Sequence, residues 1–405
     1  MIQRRSAPLC WFAAAMLLAS AARAGVWGMD PVLGITADYA TNPVLLEIPN
    51  TAQTDAALLL DAPATYSAND FKLFILPSFR ISDTRSYSSV NSDYEHLNVK
   101  GEFDTDRSVL TASAGVTRDS SLYLNYLANG ETGVRRDGAT ADLNWDDNLT
   151  ERMEVNTDVN TTQVRYGSAV GATSLVDYRY TSITPTLAWN AAERTKLTLA
   201  ASVGQYDTLD GTTRSRNANL QLGFVRPLTE IWSLTASGGF SRALNRLDFD
   251  EQFLEQTVNG PVIVSIPVRS ESSQNSAVYS LNLARHGERL TLNAIASRQE
   301  TPTGFAFLSR QNAVELVASY ALSDRWSLRA DAHYLQAQDP QQQGGSTDRT
   351  VNYFGLNTSW QWTEHWTLTL GASRVTERVQ SPYLDLASNQ IAITLSQKFN
   401  HINFQ

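Results

Sequence analysis

One short unit returns along most of this chain: a stretch alternating apolar with small polar residues, a tight polar turn, then another such stretch. From Trp189 it runs through the turn Asn190-Ala191-Ala192-Glu193-Arg194 into Thr195-Lys196-Leu197-Thr198-Leu199-Ala200-Ala201. The pattern recurs at 226–236, 284–294, 320–330 and 360–370. Alternation with period two makes a strand with two unlike faces. A polar face on nearly every strand does not suit a two-layer sandwich, whose inner faces must be dry. It suits a closed barrel, greasy outside and wet within.

Period-two segments bounded by turn residues predict eighteen strands, or sixteen if the first two do not count. They lie near 31–40, 54–65, 70–82, 93–103, 108–118, 138–147, 151–163, 177–189, 195–206, 214–226, 231–242, 271–285, 289–299, 310–322, 326–337, 349–362, 366–376 and 388–399. Most have the roughly 9–11 residues that a tilted spanning strand needs. The connections alternate short and long, as they do in outer-membrane barrels, where short turns face the periplasm. That asymmetry puts both termini in the periplasm and requires an even strand number. The expected fold is therefore an all-β, transmembrane, antiparallel up-and-down barrel, a single domain over 25–405.

The leading residues read as an export signal over 1–24. Arg4 and Arg5 precede the apolar stretch Leu9–Ala22, and Ala22-Arg23-Ala24 offers a small-x-small cleavage site. The one cysteine, Cys10, lies inside that segment, so no disulfide or thiol chemistry is expected of the mature chain. Its formal charge of −9 becomes −12 once Arg4, Arg5 and Arg23 leave. That balance disfavours nucleic acid as a partner. The expected surroundings are outer-membrane lipid, the barrel assembly machinery and, as one option, a polysaccharide.

Alternation also assigns the faces, since a one-residue slip would reverse every side chain. Leu197, Leu199, Ala201 and Val203 fall on the lipid side. Lys72, Arg80, Lys100, Asp142, Glu154, Asp158, Lys196, Glu315, Arg329 and Asp331 fall inward, with Glu102, Asn144, Asn156, Asn217, Asn219, Gln221 and Asn293. So many charged and amide groups are too costly to bury dry, which argues for a hydrated lumen. Lys72, Arg80 and Lys100 sit on the third and fourth strands; Asp142, Glu154 and Asp158 sit on the sixth and seventh. Opposed patches of this kind would bias which solutes pass; a solvated wall without selectivity is the plainer alternative. Trp145, Trp189, Trp232, Trp326, Trp360, Trp362 and Trp366 all stand beside short turns, the height of a membrane–water interface.

The longest connection, 243–270, carries Asp248, Asp250 and Glu251 and then an apolar run, Val262-Ile263-Val264. Either it folds into the mouth as a constriction or it caps a hairpin above the membrane. Its carboxylates lack the spacing and glycine of a calcium loop, so no metal or other cofactor is expected. Of five histidines, His96, His286, His333, His365 and His401, only His96 and His333 lie near an external end, and His333 shares the inward face with Asp331. No serine can be assigned to it, and a lumen polar residue is the better reading. The chain is not expected to be an enzyme.

The strand Gly34-Ile35-Thr36-Ala37-Asp38-Tyr39-Ala40-Thr41-Asn42-Pro43 and the ending Ser388-Asn389, followed by Ile391, Ile393, Leu395 and Phe399, resemble a group of outer-membrane β-barrel porins. Members of that group often accompany exopolysaccharide gene clusters. The resemblance implies a porin-like channel that passes small polar solutes or assists exopolysaccharide export. A non-conducting barrel that binds a polymer or partner through its loops is the alternative.

Overall fold

The computed structural model describes residues 25–43, 45, 52–83, 93–120, 134–169, 175–257, 260–304, 308–338, 348–380 and 383–404. Over 249–265 it describes backbone pairing alone. The leader expected over 1–24 lies outside these residues.

All regular structure among them is strand. In chain order these are β1 (Val26–Met29), β2 (Val32–Ala40), β3 (Gln53–Asp61), β4 (Ala64–Ser67), β5 (Phe71–Ser82), β6 (Tyr94–Asp104) and β7 (Ser108–Ser120). Then follow β8 (Val134–Asn148), β9 (Met153–Ala169), β10 (Tyr178–Ala192), β11 (Thr195–Thr208), β12 (Thr213–Pro227), β13 (Trp232–Thr257) and β14 (Gly260–His286). The last are β15 (Leu290–Pro302), β16 (Leu308–Ala321), β17 (Trp326–Gln338), β18 (Arg349–Gln361), β19 (Trp366–Val379), β20 (Leu384–Lys398) and β21 (Ile402–Phe404). From β5 to β20 each strand pairs antiparallel with the next. β2 then pairs with both β20 and β3, and β3 with β5, which closes an 18-strand barrel.

β1, β4 and β21 continue β2, β3 and β20 past short interruptions. Two of these hold a proline, Pro31 and Pro63, which has no N–H to give to a ladder. Beyond the interruptions the three segments pair again, with Trp27 opposite both Tyr66 and Phe404. The barrel thus carries a small tab below its closure, made from both ends of the chain.

The outer face is apolar along the strands: Ile35, Ile81, Leu199, Val203, Leu222, Phe240, Leu281, Leu316, Ile391 and Ile393 are all exposed. A continuous belt of this size does not occur on a water-soluble monomer. Around the spanning ring each strand is paired to both neighbours, so lipid meets no open backbone. The molecule is a membrane-spanning barrel of the outer-membrane kind.

One turn chemistry repeats at the short-turn end. Leu149-Thr150-Glu151-Arg152-Met153, Leu228-Thr229-Glu230-Ile231-Trp232, Leu322-Ser323-Asp324-Arg325-Trp326 and Trp362-Thr363-Glu364-His365-Trp366 share a hydroxyl residue three places before the new strand. The hydroxyl accepts the backbone N–H of that first strand residue, at 3.0 Å in Thr150–Met153 and at 3.1–3.2 Å in the other three. A Ser or Thr in this role replaces a missing ladder bond and tightens the reversal. In three of the four it also plants a tryptophan at a fixed height. Trp326 stacks on Trp360 at 5.8 Å, and Trp360 on Trp362 at 6.2 Å.

Above the short-turn end the strands climb further than periodicity alone suggests. Ladder pairs such as Arg136 with Tyr166 occupy stretches expected to be loop. The 243–270 connection is the extreme case. β13 and β14 run for 26 and 27 residues and pair with each other up to Thr257 opposite Gly260. β12 leaves that hairpin at Leu247, and β15 leaves it at Tyr279. Of the two alternatives for this segment, the projecting hairpin is what forms.

Candidate functional site: the lumen and its outer mouth

Inside the lower barrel the charged side chains meet partners. Lys72 lies 3.1 Å from Glu102 and 3.2 Å from Asp104, and Lys100 is 3.6 Å from Glu102. Lys196 on β11 reaches across β10 to Glu154 on β9 at 2.6 Å. Asp142 accepts hydrogen bonds from Ser113 and Asn160, and Asp158 stands opposite Asn144 on the same wall. Arg329 bonds Asp331 at 2.9 Å, and His333 lies 4.0 Å from Glu315 with its ring against Tyr353. Most of these pairs keep contact with water, where each is worth at most about 1 kcal/mol. Their effect is to line the wall with fixed dipoles of both signs.

Arg80 differs. It is buried, and its guanidinium bonds Asp38 at 2.5 Å and Asp55 at 2.9 Å. The three residues come from β5, β2 and β3, so this ion cluster braces the strands where the chain closes on itself. The sequence places Arg80 inward but does not reveal the two carboxylates, which depend on register.

The upper lumen is built otherwise, because two segments fold inward. The first leads from β2 to β3. Thr41 is tied to β20 through its N–H to the Asn389 carbonyl at 3.0 Å, and its hydroxyl accepts the Asn389 N–H at 2.9 Å. Leu45 then packs into a seat formed by Leu335, Val351, Val375 and Leu386, the inward residues of β17 to β20. Its backbone is left-handed, with φ 49°. A side-chain-bearing residue disfavours that conformation by about 1–2 kcal/mol, and burial of the leucine offsets it.

The second segment is the top of the β15–β16 hairpin. β15 separates from β14 after Arg298 opposite Tyr279, yet continues paired to β16 as far as Pro302 opposite Leu308. By alternation Arg298, Glu300 and Arg310 belong to the lipid face, with Val314 and Leu316. Instead Glu300 accepts hydrogen bonds from Ser241 at 2.8 Å and Ser276 at 2.9 Å, both inward residues of β13 and β14. Past them, the Tyr206 hydroxyl donates to the Thr303 carbonyl at 2.9 Å and the Val176 N–H donates to the Gly304 carbonyl at 2.8 Å. Leu308 sits among Val164, Tyr178 and Tyr206, from β9, β10 and β11. The hairpin top has therefore slipped inside the wall and crosses the inner faces of β14, β13 and β12.

Burial records the same path. Thr213, Ser215, Asn217, Ser241, Ala243, Asn245, Ser276 and Val278 are inward residues of these strands, each 7% exposed or less. Lower on the same strands Asn219, Gln221 and Ser237 remain half-open. Gly304 fits against Tyr166 so closely that a Cβ there would lie 2.6 Å from the ring. That is a close approach only glycine permits.

Of the three loop carboxylates, Asp248 is engaged by Arg246 at 2.8 Å and Arg269 at 3.0 Å. Hydrogen bonds from those two arginines hold its carboxyl below the usual range. The side chains of Asp250 and Glu251 lie outside the described set. In the β11–β12 turn, burial raises the Asp210 carboxyl. Hydrogen bonds from Thr208 and from the Thr212 N–H and hydroxyl outweigh it, so the net direction is down. Gly211 supplies the left-handed step of that turn, at φ 80°. Among the described residues no three His, Cys, Asp or Glu side chains gather as a metal site.

No protein-family model matches this chain, and no curated protein matches it either. Solved structures are similar in shape. The ferric citrate transporter FecA has a TM-score of 0.49 at 11% identity, covering 92% of this chain and 78% of its own. The copper transporter OprC scores 0.48 at 12% identity over 88% of this chain. The chain spans 64% of that transporter's length. OccAB3 of Acinetobacter baumannii scores 0.46 at 12% identity, covering 93% and 99%. These are likenesses among large barrels, and the strand ladder described above carries the fold without them.

Proposed function

We propose that this protein is an outer-membrane channel for small polar solutes, with its narrowest passage at the outer mouth. The observation that carries the reading is the inner wall. Sixteen to eighteen strands enclose an aqueous space in barrels of this kind, and here that wall is polar and largely half-open away from the buried Arg80 cluster, Leu45 and the β15–β16 hairpin. A wall built for dry packing would not keep Lys72, Glu102, Asn144, Glu154, Asn219 and Gln221 on one face. The pairing of most charges argues for a passage tolerant of neutral polar solutes such as sugars rather than one strongly selective for an ion.

The decisive measurement is swelling of proteoliposomes in sugars of graded size, alongside single-channel recording. Entry of small sugars with a sharp size limit is the expected result. Vesicles that exclude even the smallest sugar, from a barrel shown to be folded by its heat-shifted gel mobility, would overturn the channel.

One observation favours a second activity. Among the described residues the β13–β14 hairpin has no ladder neighbour above Asp248 and Arg269, about 30 Å at the usual rise per residue. A surface polymer, an exopolysaccharide included, is the class of partner that such an arm would meet first. Removing 248–269 should then abolish polymer binding and leave sugar entry intact.

A further inference from the structure

We infer that the top of the β15–β16 hairpin has two seats, and that moving between them opens and closes the mouth. The inference rests on the channel reading for its consequence, but not for its geometry. In the observed seat the hairpin lies inside the wall. It is held by Glu300 on Ser241 and Ser276, by Thr303 and Gly304 on Tyr206 and Val176, and by Leu308 in the tyrosine cluster. The other seat is the edge of β14. On that side β14 has no ladder partner among the described residues from Gly260 to Val278.

An unpaired edge beside a strand that has just left it is a template for pairing. Carried on in the register of Tyr279 opposite Arg298, the ladder would set Glu300 opposite Ala277 and Thr303 opposite Gln274. Alternation would then hold throughout. Arg298, Glu300 and Arg310 would turn outward at the outer rim, where charges meet headgroups and water. Thr301 and Thr303 would face the lumen.

The two seats satisfy different groups. Inside, side chains and one apolar contact are made while the β14 edge stays open; outside, the edge is paired while the buried inner wall of β12 to β14 is returned to water. Neither set dominates by count of bonds, which is the condition for a bistable element. The hairpin stays paired to itself from Leu290 opposite Tyr320 up to Pro302 opposite Leu308. Above the Tyr279–Arg298 pair β16 also stays laddered to β17 up to Arg310 opposite Gln338, so the shift carries the top of that ladder with it.

One introduced cysteine, Thr303→Cys, distinguishes the seats through two partners. Paired with Tyr206→Cys, a short reducible bis-methanethiosulfonate linker can bridge only the inside seat. Paired with Gln274→Cys, a mild oxidant closes a direct disulfide in the ladder seat, where the two residues stand opposite each other in the extended register. Native Cys10 is replaced in both so that no other thiol competes. In proteoliposomes both pairs are expected to cross-link, read as a gel shift reversed by reductant. The Tyr206 bridge should remove most of the sugar permeation and the Gln274 bridge should raise it, each returning on reduction. A Gln274 pair that never cross-links while the Tyr206 pair does so fully would overturn the second seat. Cross-linking of both pairs with equal permeation would overturn the gating. Silence in every thiol state would instead sink the channel reading, and the gel shifts would still decide whether two seats exist.

Discussion

Two adjacent hairpins leave the same wall in opposite directions. β13–β14 climbs straight out, while β15–β16 turns in. Both are ladders with alternating side chains, and both start from a short turn, 228–231 before β13 and 287–289 before β15. Their difference lies in what stands above the membrane on the nominally outer face. In β15 and β16 the apolar stripe of Leu292, Ala294, Ala296, Val314 and Leu316 gives way to Arg298, Glu300, Arg310 and Asn312. That face gains nothing from lipid, and the polar inner wall of the neighbouring strands offers it partners. The lesson is that period-two alternation says which residues share a face, but not which side of the wall that face will meet.

The wall itself is where failure should be most costly. Arg80→Leu leaves Asp38 and Asp55 buried together without their cation, and removing one member of such a cluster typically costs about 3–5 kcal/mol. Chemical unfolding in detergent should show a loss of that order, with both hairpins unchanged until the barrel melts. If either hairpin loosened first, the barrel would not be the rigid frame from which they diverge.

Next in size is Leu308→Ala, which empties the apolar seat of the inward hairpin. Buried leucine truncations cost about 2–5 kcal/mol. Here the loss should fall on the seat, so hydrogen exchange over 299–304 should rise and sugar permeation increase. Exchange over 248–257 should not change. A matching rise there would mean that the two hairpins are one cooperative unit and the contrast is false.

Glu300→Ala removes two hydrogen bonds to one charged group, each worth about 1.5–3 kcal/mol before solvent is counted. The same exchange pattern is expected, weaker than for Leu308 because water can replace the lost partners. The smallest effect concerns Asp248 at the root of the outward hairpin. Its carboxyl is held down by Arg246 and Arg269, so its contribution is complete above the ordinary aspartate range near 3.9. That contribution is lost only as pH falls through the lowered value. Proteolysis of the hairpin should therefore be flat from neutral pH to about pH 4, and Asp248→Asn should abolish the acid step below it.

Much of the frame is legible in the sequence, for a physical reason. Strand alternation is local, and lipid outside with water inside enforces it on every strand. β11 and β17 begin at Thr195 and Trp326, where alternation starts. The Thr150, Thr229, Ser323 and Thr363 turns are equally local, and their shared spacing is visible once a hydroxyl three residues before the next strand, a tryptophan in three of the four, is looked for. The ion partners are not local. Lys196 and Glu154 both read as inward, but their contact depends on the stagger of β9, β10 and β11. The inward hairpin left one sequence trace, the charged break in its outer stripe. Leu45 left none, since its seat is assembled from four strands at the far end of the chain.

The tab below the barrel joins both ends of the polypeptide, and the neighbouring Thr36–Thr394 hydrogen bond links residues 358 apart. One edge of β2 pairs with β3 at once, and the other waits open until nearly all of the later strands have been made. A chain stopped just short of Leu384 would keep sixteen of the eighteen junctions and leave β2 without its far neighbour.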